Sequence, residues 1–290
     1  MKRTLLAGTV LLLTTAAPLL LAQKPHQFQP GFNLFSKQQD IQLGEEAAGQ
    51  VRKEKTVIND PVLTAYVNRV GKRLAASKEA QGSGFPFTFE VVADPTINAF
   101  ALPGGHMFIH TGLLKAVDNE AQLAGVMGHE MSHVILRHGT NQASKANLIE
   151  IPAALAGQLA GKGTMMGQLA QLGIGLGANS VLLKFSRSAE SQADLTGSHI
   201  MAEAGYDPNE MARFFTKLGS PGKGFAGSVE QFLSDHPNPD NREHAIEQEA
   251  RLLPNRTYGY ETGDFNKMKS VAMKIQEPKP KPQPQSPQKQ

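Results

Sequence analysis

The chain has 290 residues, 40% hydrophobic and 19% charged, which is the composition of a folded protein with a sizeable core and excludes an unstructured polar peptide. Its net charge of +3 and pI near 9.0 would suit a nucleic-acid binder, but residues 1–22 and 275–290 each carry +2, which leaves −1 for residues 23–274. A basic nucleic-acid-binding domain is therefore excluded, and the absence of cysteine excludes a disulfide framework, a thiol nucleophile, a Cys-held zinc and a Cys-borne lipid anchor.

Lys2-Arg3, the apolar stretch from Leu5 to Leu21 and the small residues near Ala22 predict a secretory signal peptide over residues 1–22. An uncleaved anchor is the alternative, although the apolar stretch is shorter than the ~20 residues of a spanning helix. Export is expected either way, with a periplasmic location and no lipid anchor. Helices follow at 37–55 and 61–77, the second opened by Asn59-Asp60-Pro61. Phe87, Phe89 and Val91 alternate with Thr88 and Glu90 as a half-buried strand. Extended segments at Ile97–Leu102 and His106–His110, joined through Pro103-Gly104-Gly105, predict a hairpin in a small sheet. From Asp118 the pattern is helical through His138.

Residues 163–183 carry no charged side chain, yet Gln168, Gln171, Asn179, Ser180 and five glycines make the window only weakly apolar. Buried or interfacial helices are expected there, with membrane-surface contact as the alternative. Further helices are expected at 186–204 and 208–218, and residues 275–290 read as a solvated Pro, Gln and Lys tail. Residues 23–274 are therefore the expected folded domain, of α+β class and mainly helical with a small mixed sheet.

The chemistry lies in His129-Glu130-Met131-Ser132-His133. Histidines at i and i+4 share a helical face, one turn apart, so both imidazoles can reach one Zn²⁺. Glu130, about 100° further round the axis, can address a water without ligating. The surrounding Leu123, Val126, Met127, Val134 and Ile135 imply a buried helix, where two histidines and a carboxylate are costly unless something binds them. A catalytic zinc needs three protein ligands and an open position. Leu136 and Gly139 end the motif without a third histidine, and Glu150 falls at a segment junction. Glu190 opens a helix in which Asp194 shares its face, so Glu190 can ligate while Asp194 accepts the outer N–H of a ligating imidazole. A solvated acidic helix face is the competing reading of that pair.

At this point the sequence resembles the zinc metallopeptidase family that includes HtpX, the CAAX prenyl endoproteases and the exported BepA and LoiP proteases. The resemblance covers roughly residues 37–250. It rests on Asn98 to Gly105, Thr111-Gly112-Leu113-Leu114, Glu120 to Ala124, the His129 motif with Arg137-His138, the Ser186 to Asp194 segment, and His236-Pro237 with Arg242. It implies a zincin-like (gluzincin) domain with His129, His133 and Glu190 on one zinc ion, Glu130 catalytic and Asp194 behind the ligands. It also implies that His236 lies on a loop over the metal, where it can take the fourth position and restrain activity. Gln122 stands where many members carry Glu. The chain lacks the spanning helices of the HtpX and CAAX branches, the helical repeats of BepA and the lipid-bearing Cys of LoiP, so the soluble BepA- and LoiP-like members are nearest.

His236 or Arg242 could steady a tetrahedral oxyanion. The strand His106, Met107, Phe108, Ile109, His110 is the candidate for pairing with an extended substrate backbone, with His106 and His110 as polar strand positions rather than ligands. His138, His199 and His244 have ordinary surface or helix-end explanations, and His26 belongs to an unstructured start. The expected partners are unfolded or misassembled envelope proteins, a substrate class carried by the resemblance alone. A zinc-stabilised chaperone restrained by His236 and a membrane-associated HtpX-like protease remain the alternatives.

Overall fold

The computed structural model describes residues 23–150, 185–219, 229–237, 241–254, 257–259, 261 and 263–277. The expected signal peptide, the 163–183 window and all of the expected tail beyond residue 277 lie outside the described residues.

Helix α1 (Lys37–Glu54) starts at a capping box: Ser36 accepts from Gln39 N–H, and the Gln39 side chain accepts from the Ser36 N–H. Strand β1 (Val57–Ile58) precedes α2 (Pro61–Leu74), which Asp60 caps by accepting from the N–H groups of Val62 and Leu63. Helix α3 (Lys78–Ser83) leads into β2 (Thr88–Val92), followed by β3 (Ala99–Ala101) and, after a single 3-10 turn over Pro103–Gly105, β4 (His106–His110). Then come α4 (Thr111–Ala116), α5 (Glu120–Ile135), α6 (His138–Glu150), α7 (Arg187–Glu203), α8 (Asn209–Gly219), α9 (Glu230–Asp235), α10 (Arg242–Leu252) and α11 (Phe265–Lys274).

The described strands form one mixed sheet in the order β1-β2-β4-β3, with β2 and β4 parallel and the other pairs antiparallel. Successive residues point to opposite faces. Val92, Phe100, Leu102 and Phe108 face α1 through Ala47, Ala48 and Val51. Phe89, Val91, Met107 and Ile109 join the main core with Leu63, Val67 and Val70 of α2, Leu123 and Met127 of α5 and Phe214 of α8. The α+β class, mainly helical with a small mixed sheet, is thus as the sequence implies.

Two close approaches set the frame around α5. A Cβ on Gly44 would lie 1.7 Å from the Pro103 carbonyl oxygen, so α1 rests directly on the β3–β4 turn, where Gly104 takes φ 82°. A Cβ on Gly197 would lie 3.1 Å from the His129 backbone nitrogen, so α7 meets α5 backbone to backbone beside the metal motif.

The structure corrects four expectations. The long helix from Asp118 through His138 is two helices, because Arg137 adopts a left-handed φ of 56° and ends α5. Strand β4 is hydrogen-bonded on both sides and buried along its length, so it offers no free edge to a substrate; among the described strands the unpaired edge on that side of the sheet belongs to β3. The tail does not begin at 275: Ile275 packs on the core, and Glu277 accepts from Lys115 Nζ and Thr111 Oγ1 at 2.6 Å each. His26 is anchored, with Nδ1 2.5 Å from a Glu249 carboxylate oxygen. Among the described residues no helix is long and apolar enough to cross a membrane.

Candidate metal centre

Helix α5 is buried along most of its length, and it brings His129, Glu130 and His133 into the core with at most 3% exposure each. Helix α7 begins where Ser186 Oγ accepts from Ala189 N–H, which puts Glu190 in its first turn, a position that favours a carboxylate. Because α7 lies against α5 at Gly197, its Glu190 and Asp194 face the two histidines. His236 ends α9 with its ring stacked on Phe232, ring centres 4.8 Å apart.

These elements converge four donors whose ligating atoms all lie within 4.8 Å of one another: His129, His133, Glu190 and His236. His129 Nε2 is 3.0 Å from His133 Nε2 and 3.3 Å from Glu190 Oε2, and His133 Nε2 is 3.3 Å from Glu190 Oε1. His236 Nδ1 stands 3.3 Å from His129 Nε2 and 3.1 Å from Glu190 Oε1. A tetrahedral ion with bonds of ~2.0–2.1 Å has donor-to-donor edges of ~3.3 Å. The donor set and its spacings therefore fit a metal ion, with His236 at the fourth corner.

The groups behind the donors differ. The His129 Nδ1–H donates to Asp194 Oδ1 at 2.9 Å, and Asp194 is gripped by Arg242 through Nη2 at 2.7 Å and Nε at 2.8 Å. Arg242 also reaches Glu190 Oε2 at 3.3 Å and lies 3.8 Å from the centre of the Phe215 ring. Its guanidinium, 5% exposed, is thus committed to the acidic pair instead of being free for an oxyanion. Behind His133 stands His138, Nδ1 to Nδ1 at 2.9 Å, with His138 Nε2 3.3 Å from Gln192 Oε1.

Burial disfavours a charge on His129, but the negative charge of Glu190 and the hydrogen bond to Asp194 outweigh it and lift its pKa to about 9. Burial likewise opposes the charge on Glu190, yet the His236 and His129 imidazoles hold its carboxyl well below the usual range. Burial pushes Glu130 up, lowers His133 and lowers His138 to about 4. Glu130 accepts from the backbone N–H of Ala101 on β3, while its Oε1, 3.3 Å from His236 Nε2, has no hydrogen-bonded partner. A buried carboxylate oxygen without a hydrogen bond, beside four converging donors, has capacity to accept one more.

The structure thus brings together His129, Glu130, His133, Glu190, Asp194, His236 and Arg242. It sets His106 and His110 apart from them: His106 lies between Thr88 and Glu45, and His110 bonds Thr96. His138 and His199, expected to be bland, are both 8% exposed and engaged, His138 with His133 and His199 with Glu249 at 2.6 Å. On an unbroken helix His138 would sit at i+5 from His133, about 140° round the axis. Only the break at Arg137 turns it back, and the spacing alone carries no sign of that.

A helix-borne pair of histidines, a glutamate from a second helix and a neighbouring carboxylate that faces the donors, beside a small mixed sheet, define a zincin-like domain. The profile of Peptidase family M48 matches residues 61–250, and the chain belongs to that family. The beta-barrel assembly-enhancing protease of Escherichia coli (strain K12) is 34% identical over 214 residues, 70% of this chain and 42% of that protein. Its namesake from Yersinia pestis is 31% identical over 250 residues, 82% and 50% respectively. Mitochondrial metalloendopeptidase OMA1 of Schizosaccharomyces pombe is 33% identical over 201 residues, 69% of this chain and 56% of that protein. The chain spans about half the length of the curated relatives it matches.

Proposed function

We propose that the chain is an exported, periplasmic zinc metalloendopeptidase that hydrolyses peptide bonds of unfolded or misassembled envelope proteins in quality control. The observation that carries the reading is the convergence of His129, His133, Glu190 and His236, with Glu130 Oε1 buried beside them and met only by His236 Nε2 at 3.3 Å. The nitrogen and carboxylate donors and their near-tetrahedral spacing suit zinc. Relatives named beta-barrel assembly-enhancing protease support the envelope substrate class, and the apolar leader with Lys2-Arg3 supports export.

When bound, zinc supplies a Lewis acid that polarises the scissile carbonyl and acidifies water. Glu130 takes the proton from the attacking water as its oxygen bonds to the carbonyl carbon, and returns a proton to the amine as the C–N bond breaks. Burial, by raising its proton affinity, suits Glu130 to both transfers. Asp194, gripped by Arg242, keeps the Nδ1–H tautomer of His129 and so presents Nε2 to the metal. His236, at 2% exposure, closes the centre, so substrate entry requires its ring to leave the fourth corner. With Arg242 committed to Asp194, His236 is the remaining candidate to donate to the oxyanion. An extended substrate can pair along β3 at Ala99, which alternates with the residues bonded to β4, while the Ala101 N–H is held by Glu130.

The test is cleavage of an unfolded protein by the purified chain, by the chain treated with chelator and by Glu130→Gln. Hydrolysis by the untreated chain alone is expected; equal activity in all three would end the hydrolase reading.

A further inference from the structure

Resting on the proposed metal centre, we infer that His138 is a positioning residue: it accepts the Nδ1–H of His133 and thereby fixes the ring that presents Nε2 to the metal, with the left-handed turn at Arg137 built to bring it there.

A ligating His133 Nε2 leaves the proton on Nδ1, and that proton needs an acceptor. The atom in reach is His138 Nδ1 at 2.9 Å. If His138 Nδ1 accepts, its own proton sits on Nε2, and Nε2 faces the Gln192 side-chain oxygen at 3.3 Å. One tautomer of each ring therefore satisfies both contacts in sequence. The reverse assignment would put the proton of His138 on Nδ1, aim it at His133 Nδ1 and leave His133 Nε2 bearing the proton that a ligand must shed.

The backbone supports the same conclusion. Arg137 is one of two non-glycine residues among those described with positive φ, a conformation that side-chain-bearing residues rarely adopt unless the surroundings hold them there. It is held there by its own side chain: Nε donates to Asp40 Oδ2 at 2.6 Å and Nη2 to the Phe35 carbonyl at 2.5 Å. Asp40 is 1% exposed, so this anchor is buried in α1. The turn converts an i+5 residue that would point away from His133 into one whose ring centre lies 5.0 Å from it. Helix α7 then supports both metal-bearing rings of α5, through Asp194 behind His129 and through Gln192 and His138 behind His133.

The test is zinc affinity of the full chain by competition with a chromophoric chelator, together with the visible spectrum of the cobalt-loaded protein. His138→Phe keeps an aromatic ring and removes the acceptor, and about a 10–100-fold weaker affinity with an altered cobalt spectrum is expected. His138→Asn places Oδ1 where Nδ1 stood and is expected to recover most of that loss. His138→Gln places its oxygen nearer the Nε2 position and is not. Gln192→Leu, which frees the Nε2–H, is expected to give a smaller loss of the same kind and reads the relay even if His138→Phe does not fold. Wild-type zinc binding with unchanged affinity in His138→Phe or Gln192→Leu overturns the inference, as does an Asn variant as weak as Phe. A wild-type chain that binds no zinc overturns the metal reading instead.

Discussion

Replacing Asp194 with Asn isolates what holds the centre in place. Asp194 is 2% exposed and accepts three bonds: His129 Nδ1–H at 2.9 Å and Arg242 Nη2–H at 2.7 Å on one oxygen, and Arg242 Nε–H at 2.8 Å on the other. The amide of Asn offers one acceptor oxygen, so its NH₂ must face at least one of these N–H groups. The Arg242 guanidinium then keeps Glu190, at 3.3 Å, as its nearest carboxylate, and it is buried against Phe215. Removing one partner of a buried ion pair costs roughly 3–5 kcal/mol. For a domain of this size that lowers the melting temperature by roughly 10 °C. Loss of the oriented Nδ1–H of His129 weakens metal affinity by about 10–100-fold as well. Thermal melts of wild type and Asp194→Asn, each with chelator and with saturating zinc, separate the two effects: the destabilisation persists without metal and grows with it. A change in unfolding free energy below about 1 kcal/mol without metal, with metal affinity intact, would refute the reasoning.

Two further substitutions probe the frame. Gly44→Ala places a Cβ 1.7 Å from the Pro103 carbonyl oxygen, so α1 must lift from the β3–β4 turn; a loss of ~3 kcal/mol or more is expected in chemical unfolding, and a near-neutral result would mean the two segments do not touch. His199→Gln tests pH linkage: burial disfavours the charge on His199, but the Glu249 and Glu79 carboxylates outweigh it and raise its pKa to about 9, while both carboxyls lie below their usual range. The histidine contribution is then complete below its unfolded pKa of about 6.5 and is lost as pH rises through about 9, and the carboxylate contribution is lost as pH falls below about 4.5. The stability gap between wild type and His199→Gln should be on the order of 2–3 kcal/mol at pH 6 and close toward pH 10; a gap that widens with pH would reverse the assignment.

How much the sequence revealed depended on whether each feature was local. The His129 motif, the Ser186 cap that sets Glu190 and Asp194 on one face, and the alternating strand residues are written in short periodic spacings, and the structure places these side chains together. What failed depended on contacts far apart in the chain. Strand β4 reads the same whether it lies at an edge or in the middle, and only β2 pairing parallel to it, 18 residues earlier in register, makes it interior. The end of α5 has no proline or glycine to mark it, because Asp40 and Phe35 pull Arg137 into the left-handed region from nearly a hundred residues away. His26 likewise gains its place from Glu249, more than two hundred residues later in the chain.

Metal content tests the central assignment most directly. Purified wild type and Glu130→Gln, after exposure to zinc and gel filtration, should each carry about one zinc ion per chain by inductively coupled plasma mass spectrometry, because Glu130 faces the site without holding the ion. Glu190→Gln should retain little. A wild-type chain free of zinc, or a Glu190→Gln variant with a full complement, would contradict a centre held by His129, His133 and Glu190.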